Sequence, residues 1–198
     1  MRHLAAALLL LAAAPALGDD EVGVGLPAPG FSLKTLNAEV TGSPWFRLDQ
    51  YVGEEPDDAQ ARVVLLSFFA SWCGPCKREL PFLVQLDGMY RDQGLRVVSI
   101  SIDTEAPAIE AARRMAAAAS ARHPVLSDRF NVLARRYLGD TSPLPSVFLV
   151  GRDGNVLLIE KGYSRDASAF LLAEVQGALG IQRRSASAPA QPTAATRP

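Results

Sequence analysis

The chain has 198 residues, 48% of them hydrophobic, which suffices for one domain with a sizeable core. Lys and Arg number 20 against 21 Asp and Glu, so no bulk positive field favours nucleic acid and no acidic excess favours disorder. Charge balance names no partner and leaves an ordinary globular domain with tails.

Arg2 and His3 lead into an apolar run from Leu4, which ends in Ala16-Leu17-Gly18 before Asp19-Asp20-Glu21. A short basic start, an apolar stretch and a small residue are the layout of a secretory signal, here residues 1–18. The rival reading is an uncleaved membrane anchor. As a helix this run of about fourteen residues rises only ~21 Å, against a hydrocarbon core of roughly 30 Å. No cysteine follows it, so a lipid anchor is not indicated. Residues 19–182 are the expected folded domain, and residues 183–198, rich in Ala, Ser and Pro, the expected disordered tail. Export would place the protein in the periplasm or another extracytoplasmic space.

Residues 31–35 and 44–48 can form a small hairpin, and residues 53–60, with Glu, Asp and Pro, read as a solvated loop. Residues 62–69 hold Val63-Val64-Leu65-Leu66 and Phe68-Phe69, the near-continuous apolar run of a strand buried on both faces; residues 95–102 repeat it. Between them the spacing predicts a helix over 73–91, with Leu80, Leu83, Val84 and Tyr90 on one face and Pro81 bending it. An Ala-rich helix over 105–122, with a thin apolar face of Ile109 and Met115 together with alanines, is stopped at His123-Pro124. Asp128 then caps a helix carrying Phe130, Leu133, Ala134, Tyr137 and Leu138. Residues 146–150 and 155–160 form a hairpin through Gly151-Arg152-Asp153-Gly154, and a last helix over 166–179 carries Phe170, Leu171, Val175 and Leu179. The order βαβ, helices, ββα predicts an α/β domain: a mixed β-sheet flanked by helices.

The two cysteines, Cys73 and Cys76, lie three positions apart. As a structural staple they would close a loop of only Gly74 and Pro75, which constrains the unfolded chain little. A zinc site needs about four ligands, and His123 is the only histidine beyond the leader. The pair falls where the first buried strand gives way to the first long helix, at the carboxyl edge of the sheet. There the helix dipole and unpaired N–H groups favour a thiolate. Cys73, at the exposed first turn, is the expected nucleophile, and Cys76, one turn later, the expected resolving thiol. Gly74 would permit a tight approach and Pro75 would start the helix with its φ already set.

Glu79 shares a helix face with Cys76 and has no basic neighbour three or four positions away. In partly apolar surroundings its pKa would rise, and it could exchange a proton with the Cys76 thiol; the alternative is a glutamate solvated at the helix edge. Trp72 is expected either to pack over the nucleophile and shield it from water, or to serve the core. Lys77 and Arg78 add positive potential or are plain surface.

The stretch Phe68-Phe69-Ala70-Ser71-Trp72-Cys73-Gly74-Pro75-Cys76-Lys77-Arg78-Glu79-Leu80-Pro81 resembles the active-site segment of the thioredoxin superfamily, and within it of the TlpA/ResA-like extracytoplasmic thiol-disulfide oxidoreductases. Ser142-Pro143-Leu144-Pro145-Ser146-Val147-Phe148-Leu149-Val150 resembles the family segment whose proline is cis and faces the cysteines. The resemblance spans residues 24–179 and implies a thioredoxin-like fold with an N-terminal β-hairpin, from Leu26-Pro27-Ala28-Pro29 and residues 31–36, and a central helical insertion over 104–122. It implies a cis Pro145 shaping a substrate groove, with the Leu144 backbone pairing with bound peptide. Ser67 stands where cytoplasmic thioredoxins carry a buried aspartate, and Glu79 where the TlpA/ResA-like proteins carry a functional glutamate.

The implied function is a monomeric reductase of disulfides in exported proteins, for instance those awaiting haem attachment in cytochrome c maturation. Its electrons would come from a membrane thiol partner and its one redox group would be the Cys73–Cys76 disulfide, with no cofactor and no metal. An oxidase or isomerase is the rival within enzymes, and a non-catalytic thiol-binding module or metallochaperone the rival outside them. A peroxidase is disfavoured because Cys76 lies so close that it would only resolve. A c-type haem attachment site is excluded because Lys77, not histidine, follows Cys76.

Overall fold

A computed structural model of the chain describes residues 22–141, 143–162 and 166–181. The expected signal over 1–18 and the tail over 183–198 lie outside the described residues. Within them, seven strands form one sheet: β1 (Ser32–Thr35), β2 (Trp45–Arg47), β3 (Val63–Phe69), β4 (Leu95–Ser101), β5 (Val125–Ser127), β6 (Ser146–Gly151) and β7 (Val156–Lys161). Their order across the sheet is β2-β1-β5-β4-β3-β6-β7. The helices are α1 (Ala38–Thr41), α2 (Gly74–Tyr90), α3 (Ala106–Ala118), α4 (Val132–Leu138) and α5 (Ala167–Ala178).

The parallel pairing of β3 with β4 follows from the crossover through α2, and that of β4 with β5 from the crossover through α3. The β6–β7 hairpin adds antiparallel to β3, and the β1–β2 hairpin adds antiparallel to β5. Every residue of β3 is buried, as its unbroken apolar run requires. Alternation along it divides the core: Val64, Leu66 and Phe68 join Phe46, Tyr137 and Phe148 on one face. Val63 and Leu65 meet Leu83 and Leu86 of α2 and Leu171 and Val175 of α5 on the other. Each such large apolar side chain contributes about 1.5–3 kcal/mol on burial. Ser67, two residues beyond Leu65, faces the same side as Leu65 and so is turned toward α2.

Several expected boundaries move. Strand β5 has no counterpart among the expected elements, because it is only three residues long and follows Pro124, which in sequence signals only a helix stop. The carbonyl of Pro124 accepts the Ser99 N–H at 3.0 Å and so begins the β4–β5 ladder. Helix α3 is shorter than residues 105–122, because the chain leaves it through a left-handed Ser120 with φ of 56°. As expected its inner face is thin: Ala112 and Ala116 are buried, with Ile109 and Met115 partly buried against the same cluster, and small side chains let the helix lie close to the sheet. Asp128 does cap α4, but from four residues ahead: its carboxylate accepts from the Val132 N–H at 3.1 Å and the Ala134 N–H at 2.7 Å. Phe130 precedes the first helical turn, escapes the helical period and is 73% exposed, with Arg129 over its ring. Phe170 likewise lies on the outer side of α5. The loop over 53–60 is tied down by Asp58, which accepts from the Gln60 and Ala61 N–H groups and pairs with Arg96 at 2.6 Å.

Candidate active site

Strand β3 ends at Phe69, and three residues carry the chain from Ala70 to Cys73. That short turn is held from two sides. The Cys73 N–H donates to the Ala70 carbonyl at 3.0 Å, and the buried Asp103, just past β4, accepts from the Ser71 N–H at 2.8 Å and the Ser71 hydroxyl at 2.9 Å. The Ser101 hydroxyl donates to the same carboxylate at 2.8 Å. Asp103 was not among the residues singled out from the sequence. The available signal was a carboxylate closing an apolar strand at the sheet edge that carries the cysteines.

Cys73 caps α2 and is bonded to Cys76 in a disulfide with Cα atoms 5.3 Å apart. Its sulfur accepts the Cys76 N–H at 3.2 Å. Pro75 has no N–H to offer, so this donor is the one the first turn directs at the sulfur. An N–H group and the positive end of the helix dipole both stabilise negative charge there, which makes Cys73 the better leaving and attacking sulfur. Cys73 is 5% exposed and Cys76 1%, so the expected order of access holds although both are largely enclosed.

A Cβ placed on Gly74 meets nothing within 4 Å beyond its immediate chain neighbours and the helix's own backbone, so no other residue of the chain crowds this position. Its side of the turn faces open space. One expectation is corrected: Trp72 does not serve the core, being 70% exposed in the turn ahead of Cys73. Lys77 and Arg78 are exposed on the outer side of α2.

Glu79 lies one turn into α2, 7% exposed, and accepts the Ser67 hydroxyl at 3.0 Å. Ser67 and Glu79 therefore occupy one place in the interior from opposite elements, the strand supplying the hydroxyl and the helix the acid. Burial raises the Glu79 pKa from 4.5 to about 7, against the opposing pull of the Ser67 hydrogen bond. Glu79, Ser67 and Cys76 line a common void too small for water, which Ser99 closes on the β4 side. Ser99 is the register partner of Ser67 and hydrogen bonds with the ring of His123 at 2.9 Å. His123 is fully buried, its Nδ1 has no partner, and burial lowers its pKa to about 4. Among the described residues no cluster of three or more His, Cys, Asp or Glu could hold a metal.

The Leu144–Pro145 peptide bond is cis. Pro145 is buried and its carbonyl accepts the Gly162 N–H at 2.8 Å, while Leu144 packs against the cluster that contains Phe69, Cys73 and Cys76. The structure thus brings Cys73, Cys76, Glu79 and Leu144 together at one end of the sheet, with Pro145 adjoining Leu144 in the chain.

Comparison with known proteins agrees with this geometry. Residues 24–159 match the AhpC/TSA family. The chain is 30% identical over 157 residues to the thiol-disulfide oxidoreductase ResA of Geobacillus thermodenitrificans, covering 78% of this chain and 83% of that one. It is 26% identical to ResA of Bacillus subtilis over 73% of this chain and 71% of the relative. Among solved structures, one from Chlorobium tepidum, described as a thiol:disulfide interchange protein DsbE, superposes with a TM-score of 0.65 at 28% identity, covering 81% of this chain and all of that one. The chain belongs to the AhpC/TSA family, has its thioredoxin-like fold, and falls among the thiol-disulfide oxidoreductases of the ResA kind.

Proposed function

We propose that this oxidoreductase works as a reductase of disulfides in exported proteins. The Cys73 thiolate attacks a substrate disulfide and displaces one substrate thiolate, leaving a mixed disulfide. Cys76 then attacks the Cys73 sulfur, forms the Cys73–Cys76 disulfide and releases the second substrate sulfur reduced. Two electrons pass from the dithiol to the substrate. Glu79 takes the Cys76 proton in the resolving step, and its pKa of about 7 suits both accepting and returning it.

The observation that carries this reading is the disulfide at the start of α2, with the Cys76 N–H aimed at the Cys73 sulfur and a buried carboxylate lining the void behind Cys76. Leu144 and Pro145 border the place where an extended substrate segment would lie, its backbone pairing with that of Leu144; exposed Trp72, with Gly74 and Pro75, offers the facing side. An extracytoplasmic location, a membrane thiol donor, a monomeric state and a role in preparing apocytochrome cysteines for haem attachment complete the proposal. The similarity to ResA and DsbE proteins supports it.

The test is the potential of the Cys73/Cys76 couple together with insulin reduction by the parent and by Cys73→Ser. A potential near about −270 mV with activity lost in Cys73→Ser is expected; one near about −120 mV means an oxidase, and no activity in the parent means a binding module. A Cys76→Ser variant traps the substrates as mixed disulfides.

A further inference from the structure

Glu79 borders two voids. The first, shared with Ser67 and Cys76, has no room for water. The second lies between α2, β6, β7 and α5 and is lined, besides Glu79, by Glu160, Ser168 and Gly162 and by apolar Phe82, Val147 and Leu171. Its volume is about 10 Å³, the space of a single water. Such a water needs two to four polar partners, and Glu79, Glu160 and Ser168, three residues with polar side chains, line the void. Glu160 and Ser168 are both partly exposed, so the second void lies between the buried acid and bulk solvent.

We propose that this one-water site is the proton outlet of Glu79, with Glu160 as the group that passes the proton to solvent and Ser168 as a positioning residue. The inference rests on Glu79 being the proton acceptor of Cys76. In the resolving step the Cys76 S–H proton goes to the Glu79 carboxylate, and the Cys76 sulfur forms its bond to Cys73 as the substrate sulfur departs. Glu79 then gives the proton to the bridging water, which passes one to Glu160 and so to bulk; the released substrate thiolate takes its proton from solvent. No oxidant or further reductant is needed. The route leaves no room for water on the sulfur side, while the carboxyl still equilibrates with the outside.

The ionisable groups around Glu79 are few. Among the described residues the voids present Cys76 from its own helix and Glu160 from β7, whereas β3, β4, β6 and α5 contribute only neutral side chains. Below pH 7 Glu79 is protonated and must first discharge through the outlet; above pH 7 it is already a carboxylate. Blocking the outlet therefore slows resolution only on the acid side.

The experiment uses the full-length reduced protein and an aromatic disulfide, 5,5′-dithiobis(2-nitrobenzoate). The first thionitrobenzoate released reports attack by Cys73 and the second reports resolution by Cys76. Ser168→Val, which fills the water site, and Glu160→Gln are compared with the parent from pH 5 to 9, each also in a Glu79→Gln background, with Glu160→Asp as the conservative control. The expected result is a second phase slowed on the order of tenfold below pH 7 and unchanged at pH 9, no added effect in the Glu79→Gln background, and recovery in Glu160→Asp. Slowing that is equal at all pH values, or equal with and without Glu79, overturns the outlet. If Glu79→Gln alone leaves the second phase untouched, the acceptor role itself fails, a result seen independently of the outlet variants.

Discussion

Replacing Glu79 by Gln removes a titrating group from the interior while keeping an oxygen for the Ser67 hydroxyl, so the stability difference between the two proteins isolates the cost of that charge. In the folded protein Glu79 keeps its proton up to about pH 7, whereas in the unfolded chain it loses it near 4.5. Between those values the native state binds more protons, and parent stability falls as pH rises, until the loss is complete above 7. At roughly 1.4 kcal/mol per pH unit, the displacement is worth about 3 kcal/mol. His123 acts with the opposite sign: the unfolded ring protonates below 6.5 and the buried one only near 4, so its contribution is lost as pH falls through that range. The two slopes oppose each other over the shared interval, and the parent should be nearly flat from pH 4.5 to 6.5. Urea unfolding of the oxidised proteins from pH 4.5 to 8 should show Glu79→Gln level with the parent at the acid end and more stable by about 3 kcal/mol at the basic end. For a domain of this size that is a melting-point gain of roughly 6–12 °C. A difference between the two that stays constant with pH would refute a buried, proton-retaining Glu79.

Asn37→Ala should cost about 3 kcal/mol by urea unfolding, because the buried amide donates to the Ala121 and His123 carbonyls and accepts the Val125 N–H, and its loss leaves that N–H unpaired. Asp103→Ala removes three hydrogen bonds from the turn before Cys73, so insulin reduction should drop by on the order of tenfold or more while the Cys76→Ser trap still forms mixed disulfides. Asp128→Ala should destabilise the oxidised protein by about 1–2 kcal/mol through the α4 cap. Gly74→Ala should fold within about 0.5 kcal/mol of the parent, since the added methyl group faces open space, and any loss of turnover in it reports contact with substrate.

The parts of the molecule legible in the sequence are those whose signal is local. The unbroken apolar run of β3 announces burial on both faces, the Gly151-Arg152-Asp153-Gly154 turn announces the β6–β7 hairpin, and Cys73 and Cys76 sit where a strand meets a helix. Glu79 was legible because helical spacing alone places it beside Cys76. What stayed hidden depends on residues far apart in the chain. Asn37 reaches across 88 positions to Val125, Asp103 across 32 to Ser71, and neither has a sequence neighbour that predicts its partner. Three-residue β5 carries too few residues for a period, and it exists because β4 and β1 offer it backbone partners on both sides. The exposure of Trp72 was hidden for a related reason: tryptophan is usually buried, and no local signal marks this one as exposed.

The seam formed by Glu79, Ser67, Ser99 and His123 runs from helix to strand to strand across the sheet. With its acid uncharged below about pH 7 and its base uncharged above about pH 4, the seam is electrically silent across that whole interval. Along this seam, when the disulfide opens, a proton held at Cys76 or Glu79 meets no charged partner. With Glu79 in its proposed role the seam is an insulator with one movable proton, and the oxidation state of the pair would be written there as the position of that proton.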